Sequence, residues 1–215
     1  MKVGVLASGS GTNLQALIDA TAAGGLGPAR LSVVGVNVAG CGALERAARA
    51  GIESFVLDHK TFASRSAFDQ ALVEELRRRD IELVALAGFM RLLTPTFLDA
   101  FPKRVINVHP ALLPSFPGTH AQRQAYEYGV RVAGCTVHFV DAGTDTGPII
   151  AQAVVPALDG DDENTLRRRI LDEEHRLYPT VVRAIAEGRV TVDGRRVRVE
   201  GGVPADLAGT RLRSL

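Results

Sequence analysis

The chain has no tryptophan, two cysteines and almost no net charge, and each shortage excludes something. Cys41 and Cys135 are too few for a disulfide framework or a zinc ribbon, and they suit a reducing cytosol. The 25 basic side chains are matched by 24 acidic ones, so no general positive field exists to hold nucleic acid, and any anion must be bound locally. No uninterrupted apolar run approaches the length that crosses a bilayer. The apolar start Met1 to Ala7 is broken by Gly and Ser before a signal-peptide core can form. These absences describe a cytoplasmic protein with small-molecule partners, no nucleic acid and no membrane. What the chain has instead is 46% apolar residues among 215, ample for one large core or two small ones.

Short apolar runs alternate with amphipathic segments, the signature of crossover units and a mainly parallel sheet in an α/β fold. Strands are predicted near 2–7, 31–38, 53–57, 82–86, 104–108, 134–140 and 149–155, and helices near 13–23, 42–50, 64–79, 94–100, 120–128 and 162–187. Ser64 and Thr94 suit helix N-caps. Residues 190–199 alternate around Asp193-Gly194, a hairpin signal, and the glycine-rich tail 201–215 has no periodicity.

Chemistry concentrates in a few loops. Val105 to Val108 carries Asn107 into His109-Pro110, and residues two apart in an extended chain point the same way, so an amide and an imidazole stand side by side. Proline keeps the preceding residue extended, and ligands of parallel sheets bind at the strands' carboxyl ends. A strand-end histidine that only caps its neighbour's backbone fits as well. The loop Ser8-Gly9-Ser10-Gly11-Thr12-Asn13 between a strand and a helix is a candidate phosphate cradle. It lacks the lysine of a nucleotide triphosphatase loop and the third glycine of the dinucleotide fingerprint, and no acidic residue ends the second strand at Asn37, which disfavours a nicotinamide cofactor. In Gly88-Phe89-Met90-Arg91-Leu92-Leu93, the apolar side chains suit a flat aromatic ligand or pack on the next helix. If Asp145, in the loop from Asp141 to Pro148, approaches His109, it favours the imidazolium and raises its pKa. An Asp in such a loop is also an ordinary turn residue. In the last helix Glu174 falls on the apolar stripe of Leu166, Ile170, Leu177, Val181 and Ile185, with Glu173 nearer its edge. A carboxylate there needs a partner or a wet cleft. Pro179 should kink this helix.

Five segments resemble the phosphoribosylglycinamide formyltransferase family, folate-dependent enzymes of purine biosynthesis. They are Ser8 to Ala16, Ala87 to Leu93, Asn107 to Pro114, His138 to Val140 with Asp145, and Glu174-His175 with Tyr178-Pro179. The resemblance implies a three-layer α/β formyltransferase fold, with helices on both faces of a mainly parallel twisted sheet and a Rossmann-like first half. It further implies one domain over 1–200, divided into a phosphate-binding half (1–100) and a catalytic and folate half (101–200). Asn107, His109 and Asp145 would be catalytic. Gly11, Thr12, Asn13, Glu173 and Glu174 would bind glycinamide ribonucleotide. Arg65, Met90, Arg91, Leu92, Leu93, Asn107, Asp141, Thr144 and Asp145 would meet the co-substrate 10-formyltetrahydrofolate. Leu113-Pro114 would be cis.

The implied reaction is direct attack by the substrate amine on the formyl carbon, with Asn107 and protonated His109 meeting the oxyanion and Asp145 moving the amine's proton. No covalent nucleophile is called for, since neither cysteine has an evident base, and the histidine spacing suggests no metal. Formyltetrahydrofolate deformylase, which uses water as the attacking group, is the alternative. The phosphate loop argues against it, as does the lack of an extra amino-terminal regulatory domain. Methionyl-tRNA formyltransferase would need a further carboxyl-terminal domain and a basic surplus. Monomer and homodimer are both compatible with the sequence.

Overall fold

The computed structural model of the protein describes residues 1–202; the expected tail lies outside the described residues from position 203 onward. The chain runs β1 (Lys2–Ala7), α1 (Thr12–Ala22), β2 (Arg30–Val36), α2 (Gly42–Arg49), β3 (Ser54–Val56) and α3 (Arg65–Arg77). It continues through β4 (Leu83–Leu86), α4 (Pro95–Leu98), β5 (Val105–His109), α5 (Ala121–Tyr128), β6 (Val132–Phe139), β7 (Ile149–Pro156) and α6 (Glu163–Ala186), and ends in the hairpin β8 (Val190–Asp193) and β9 (Arg196–Val199). Every predicted element is present, its ends displaced by one or two residues at most.

The main sheet has seven strands in the order β3-β2-β1-β4-β5-β6-β7. Strands β1 to β5 pair in parallel, and β6 and β7 are antiparallel additions. Alternate residues of β1 separate two cores. Val3, Val5 and Ala7 pack with α1, α2 and α6 through Leu14, Leu17, Ala43, Ala47 and Ile170. Leu6 faces the other way, among Phe68, Leu72 and Leu76 of α3 and Phe97 of α4. The result is three layers with helices on both faces, held by burial of apolar surface. From β1 the chain goes to β2 and β3 on one side and then to β4 on the other. The carboxyl ends of β1 and β4 therefore border a crevice, with Ser8 N donating to Gly88 O at 3.1 Å. Among the described residues no helix is long and apolar enough to cross a membrane.

One local detail differs from the sequence reading. Ser64 caps α3, accepting from Ala67 N at 3.1 Å, but Thr94 makes no side-chain cap on α4. Its N and Oγ1 both donate to Asp69 Oδ2, at 2.6 and 2.7 Å. Pro179 lies inside α6, which continues past it, with Leu177, Tyr178, Val181 and Val182 buried around it. The Leu113-Pro114 bond is cis.

Tyr178 is fully buried, and its one hydroxyl proton is shared between the carbonyls of Leu86 (2.8 Å) and Ile106 (3.3 Å), tying α6 to β4 and β5. Tyr178→Phe should lower unfolding free energy by about 1 kcal/mol through the lost hydrogen bond, read from the midpoint of a urea titration.

Candidate active site

Strand β5 is the seam of the sheet, parallel to β4 and antiparallel to β6. Asn107 and His109 share the face of Val105, and the antiparallel register sets His138 opposite Asn107 and Thr136 opposite His109. Two side chains of one strand and one of the next thus converge. Asn107 Nδ2 lies 3.3 Å from His138 Nε2. His138 Nδ1 is 2.8 Å from its neighbour's carbonyl, Phe139 O.

The loop after β6 brings Asp145 onto this face, with its backbone in the left-handed region at φ 54°. Asp145 Oδ2 accepts from Gly118 N at 2.8 Å and stands 3.3 Å from His109 Nδ1, while Oδ1 is 3.6 Å from His138 Nε2. Burial pushes its pKa up, but the bond to His138, the Gly118 N–H and the nearby imidazoles outweigh burial and hold the carboxyl below its usual range. His109 is buried, and its Nε2 donates to Phe116 O at 2.8 Å. Here the structure corrects the sequence reading: Asp145 is adjacent, yet the net shift of His109 is downward. Burial lowers its pKa more than the Phe116 carbonyl and Asp145 raise it, with His138 adding to the lowering.

The first loop packs tightly. Gly11 has φ 72°, and a Cβ on it would sit 2.8 Å from Ala43 Cα. No side chain caps α1, so its first-turn N–H groups keep their affinity for an anion. Arg46 of α2 donates to Ser10 O (2.8 Å) and Gln15 Oε1 (2.9 Å), which puts a cation at the back of the loop. A groove of about 730 Å³ opens beside it between α1 and α6, lined by Thr12, Gln15, Arg46 and His175 among others.

Asn13 Nδ2 donates to Glu174 Oε2 at 2.7 Å. Asn13 Oδ1 and Glu174 Oε1 are buried and unpartnered, as are Glu173 Oε2 and His175 Nε2. Burial pushes Glu174 up to about 7, against the pull of the Asn13 bond and of Arg167. Glu173 is bonded through Oε1 to Arg176 at 3.0 Å.

In the loop after β4, Phe89 and Leu93 turn inward while Met90 and Leu92 are 71% and 56% exposed. Packing on the next helix therefore accounts for Leu93 and leaves Met90 and Leu92 on display. The Arg91 guanidinium lies 5.7 Å from the centre of the Phe68 ring. Arg65 opens α3 and is exposed. Asp141 organises its own loop, accepting from Gly143 N (3.1 Å) and Thr146 Oγ1 (2.6 Å), while Thr144 is exposed at the loop's tip.

The structure joins Asn107, His109 and Asp145 in one network, and joins Asn13 to Glu174 in another. Sequence reasoning did not assign His138, the Phe116 carbonyl, the Gly118 N–H or Arg46. The first three depend on cross-strand and loop contacts that have no local signature. Arg46 reads as one arginine of an amphipathic helix.

Residues 1–182 match the formyl transferase family. The chain is 52% identical to the phosphoribosylglycinamide formyltransferase of Mycobacterium tuberculosis, over 89% of this chain and 87% of that one. The crystal structure of glycinamide ribonucleotide transformylase 1 from Symbiobacterium toebii superposes with a TM-score of 0.90 at 56% identity, covering 93% of each chain. The trifunctional purine biosynthetic protein adenosine-3 of Drosophila pseudoobscura is 49% identical over 96% of this chain, which spans only 15% of that longer protein. The chain belongs to the formyl transferase family, among the phosphoribosylglycinamide formyltransferases.

Glu174 titrates higher in the folded than in the unfolded chain, so the native state keeps a proton that the unfolded chain releases. The stability this group contributes is complete below about pH 4.5 and is lost as pH rises to about 7. Glu174→Gln should remove that slope. Across the window the variant should gain about 3 kcal/mol on the parent protein, measured by urea unfolding at a series of pH values.

Proposed function

We propose that the protein transfers the formyl group of 10-formyltetrahydrofolate to the amine of glycinamide ribonucleotide. The observation that carries this reading is Asp145, partly buried between His109 and His138 beside Asn107. Such a cluster can accept a proton at one end and meet an oxyanion at the other.

The amine nitrogen attacks the formyl carbon, and the carbonyl π electrons move to oxygen. Asn107 offers that oxygen the amide N–H not used on His138. Burial lowers the pKa of His109, and its Nε2 proton rests on Phe116 O. Asp145, held as a carboxylate, takes the proton that the amine loses, and His109 Nδ1 stands next to it as a landing place. Negative charge on the formyl oxygen favours the imidazolium that results, so the acid is charged when the intermediate forms. Collapse of the intermediate breaks the bond to the folate nitrogen, and the same proton leaves with it.

The ribonucleotide phosphate is assigned to the N–H groups of Gly11, Thr12 and Asn13, with Arg46 behind them. The unpartnered acceptors on Asn13 and Glu174, with Glu173 beside them, call for donors such as the substrate's hydroxyls. The folate ring is assigned to Met90, Leu92 and Leu93, with Arg65, Arg91, Asp141 and Thr144 around its approach. In this reading residues 1–200 act as one domain: the first half supplies the phosphate loop and the second the catalytic groups. The unpaired Cys41 and Cys135 fit the cytoplasm as the place of action.

Purified protein mixed with 10-formyltetrahydrofolate should release tetrahydrofolate only when glycinamide ribonucleotide is added, followed by absorbance. Turnover that ignores the ribonucleotide would mean a hydrolase. His109→Ala should cut turnover by about 100- to 10,000-fold, with both ligands still bound in a calorimeter.

A further inference from the structure

We infer that Ser8 and Asp69 are positioning residues that clamp the two ends of the 88–94 loop, and that Ser8 also locks this loop to the phosphate loop. The inference rests on the assignment of folate to that loop.

Met90 and Leu92 stand exposed on a segment that contains neither helix nor strand. Apolar side chains displayed on a free loop would fold back onto the surface, so something must hold the backbone. At the near end Ser8 does so twice. Its N donates to Gly88 O at 3.1 Å, and its Oγ accepts from Met90 N at 2.9 Å. The hydroxyl proton is committed elsewhere, to Asn37 Oδ1 at 2.6 Å, which turns the oxygen's lone pairs toward Met90. Asn37 is itself 3% exposed, with Nδ2 lying 3.2 Å from His59 Nδ1.

At the far end stands Asp69, a carboxylate in the buried face of α3 that is 1% exposed. Its Oδ2 accepts from both Thr94 N and Thr94 Oγ1. Thr94 thereby forgoes capping α4, the role its position suits. The structure thus gives up a helix cap and buries a charge in order to fix the last residue of the loop. Charge-assisted bonds of this kind are short and directional. Between the two clamps, Arg91 lies over the ring of Phe68, the residue before Asp69.

The clamps differ in reach. Asp69 touches only the far end of the 88–94 loop, whereas Ser8 also opens the phosphate loop, so its displacement moves both substrate seats.

Steady-state kinetics with both substrates varied separates the two roles. Asp69→Asn and Thr94→Val should each raise the KM for 10-formyltetrahydrofolate about tenfold, with the ribonucleotide KM unchanged, and Thr94→Ser should restore the parent value. Ser8→Ala should raise both KM values. Thr94→Val keeps the backbone bond to Asp69, so it reports even where Asp69→Asn fails to fold. An unchanged folate KM in Thr94→Val, or an equal rise of both KM values, would overturn the proposal. Hydrogen exchange distinguishes it from the assignment beneath it. If a non-reactive folate analogue leaves the parent's amides at 89–93 unprotected, the folate assignment fails. If it protects them, but Thr94→Val exchanges there at the parent's rate in the free protein, the clamp alone fails.

Discussion

The network of Asn107, His109 and His138 is built around a carboxylate, Asp145, held ionised inside the protein. An isolated buried carboxylate takes up a proton, and this one is spared by the Gly118 N–H and two imidazoles. Those partners come from three parts of the chain: the loop after β5, β5 itself and β6. They can meet only if β6 runs antiparallel to β5, because that register sets His138 opposite Asn107. The change from parallel to antiparallel pairing at β5 is therefore a requirement of the site.

A second buried carboxyl shows what the partners accomplish. Glu174 has one neutral amide as hydrogen-bond donor and is pushed up to about 7, whereas Asp145 lies below its usual range. Glu174 is the more deeply buried of the two and has the fewer donors, and both differences push in the same direction. One carboxyl is thus fixed as an anion, suited to trading protons with His109. The other is poised to titrate near neutrality, and its free oxygen points at a place where Asn13 also lacks a partner. Their environments assign the two groups to different work.

Much of this was legible in the sequence, because it rests on local periodicity. Residues two apart in a strand share a face, so Asn107 and His109 could be paired without a structure. Alternating apolar runs gave the parallel sheet, and the glycine loop between strand and helix stands where it was read. What failed depends on tertiary context. Proximity of Asp145 argues for a charged His109, but the depth of burial, which decides the direction, is a property of the whole fold. Thr94 has the right identity and position for a cap and serves Asp69 instead, a choice made by a helix some 25 residues earlier. His138 lies in a strand that reads as plain core until its partner strand is known.

The placement of Asp145 also depends on steric exclusion on either side of it. A Cβ on Gly143 would fall 2.0 Å from Thr146 Oγ1, and one on Gly147 would fall 1.7 Å from Phe139 O. The loop can fold back on β6 only where these side chains are missing. Asp141 then closes it from within, through Gly143 N and Thr146 Oγ1, and Arg195 at the tip of the β8–β9 hairpin holds it from outside, donating to Thr146 O at 2.9 Å. Left-handed backbone at Asp145 itself completes the geometry, a conformation that persists only where surrounding contacts over-determine it. The carboxylate is thus positioned by backbone packing before any ligand arrives, the condition under which a fixed charge stabilises a transition state without reorganising. By this chain of contacts the carboxyl-terminal hairpin, remote in sequence from β5, belongs to the scaffold that places Asp145.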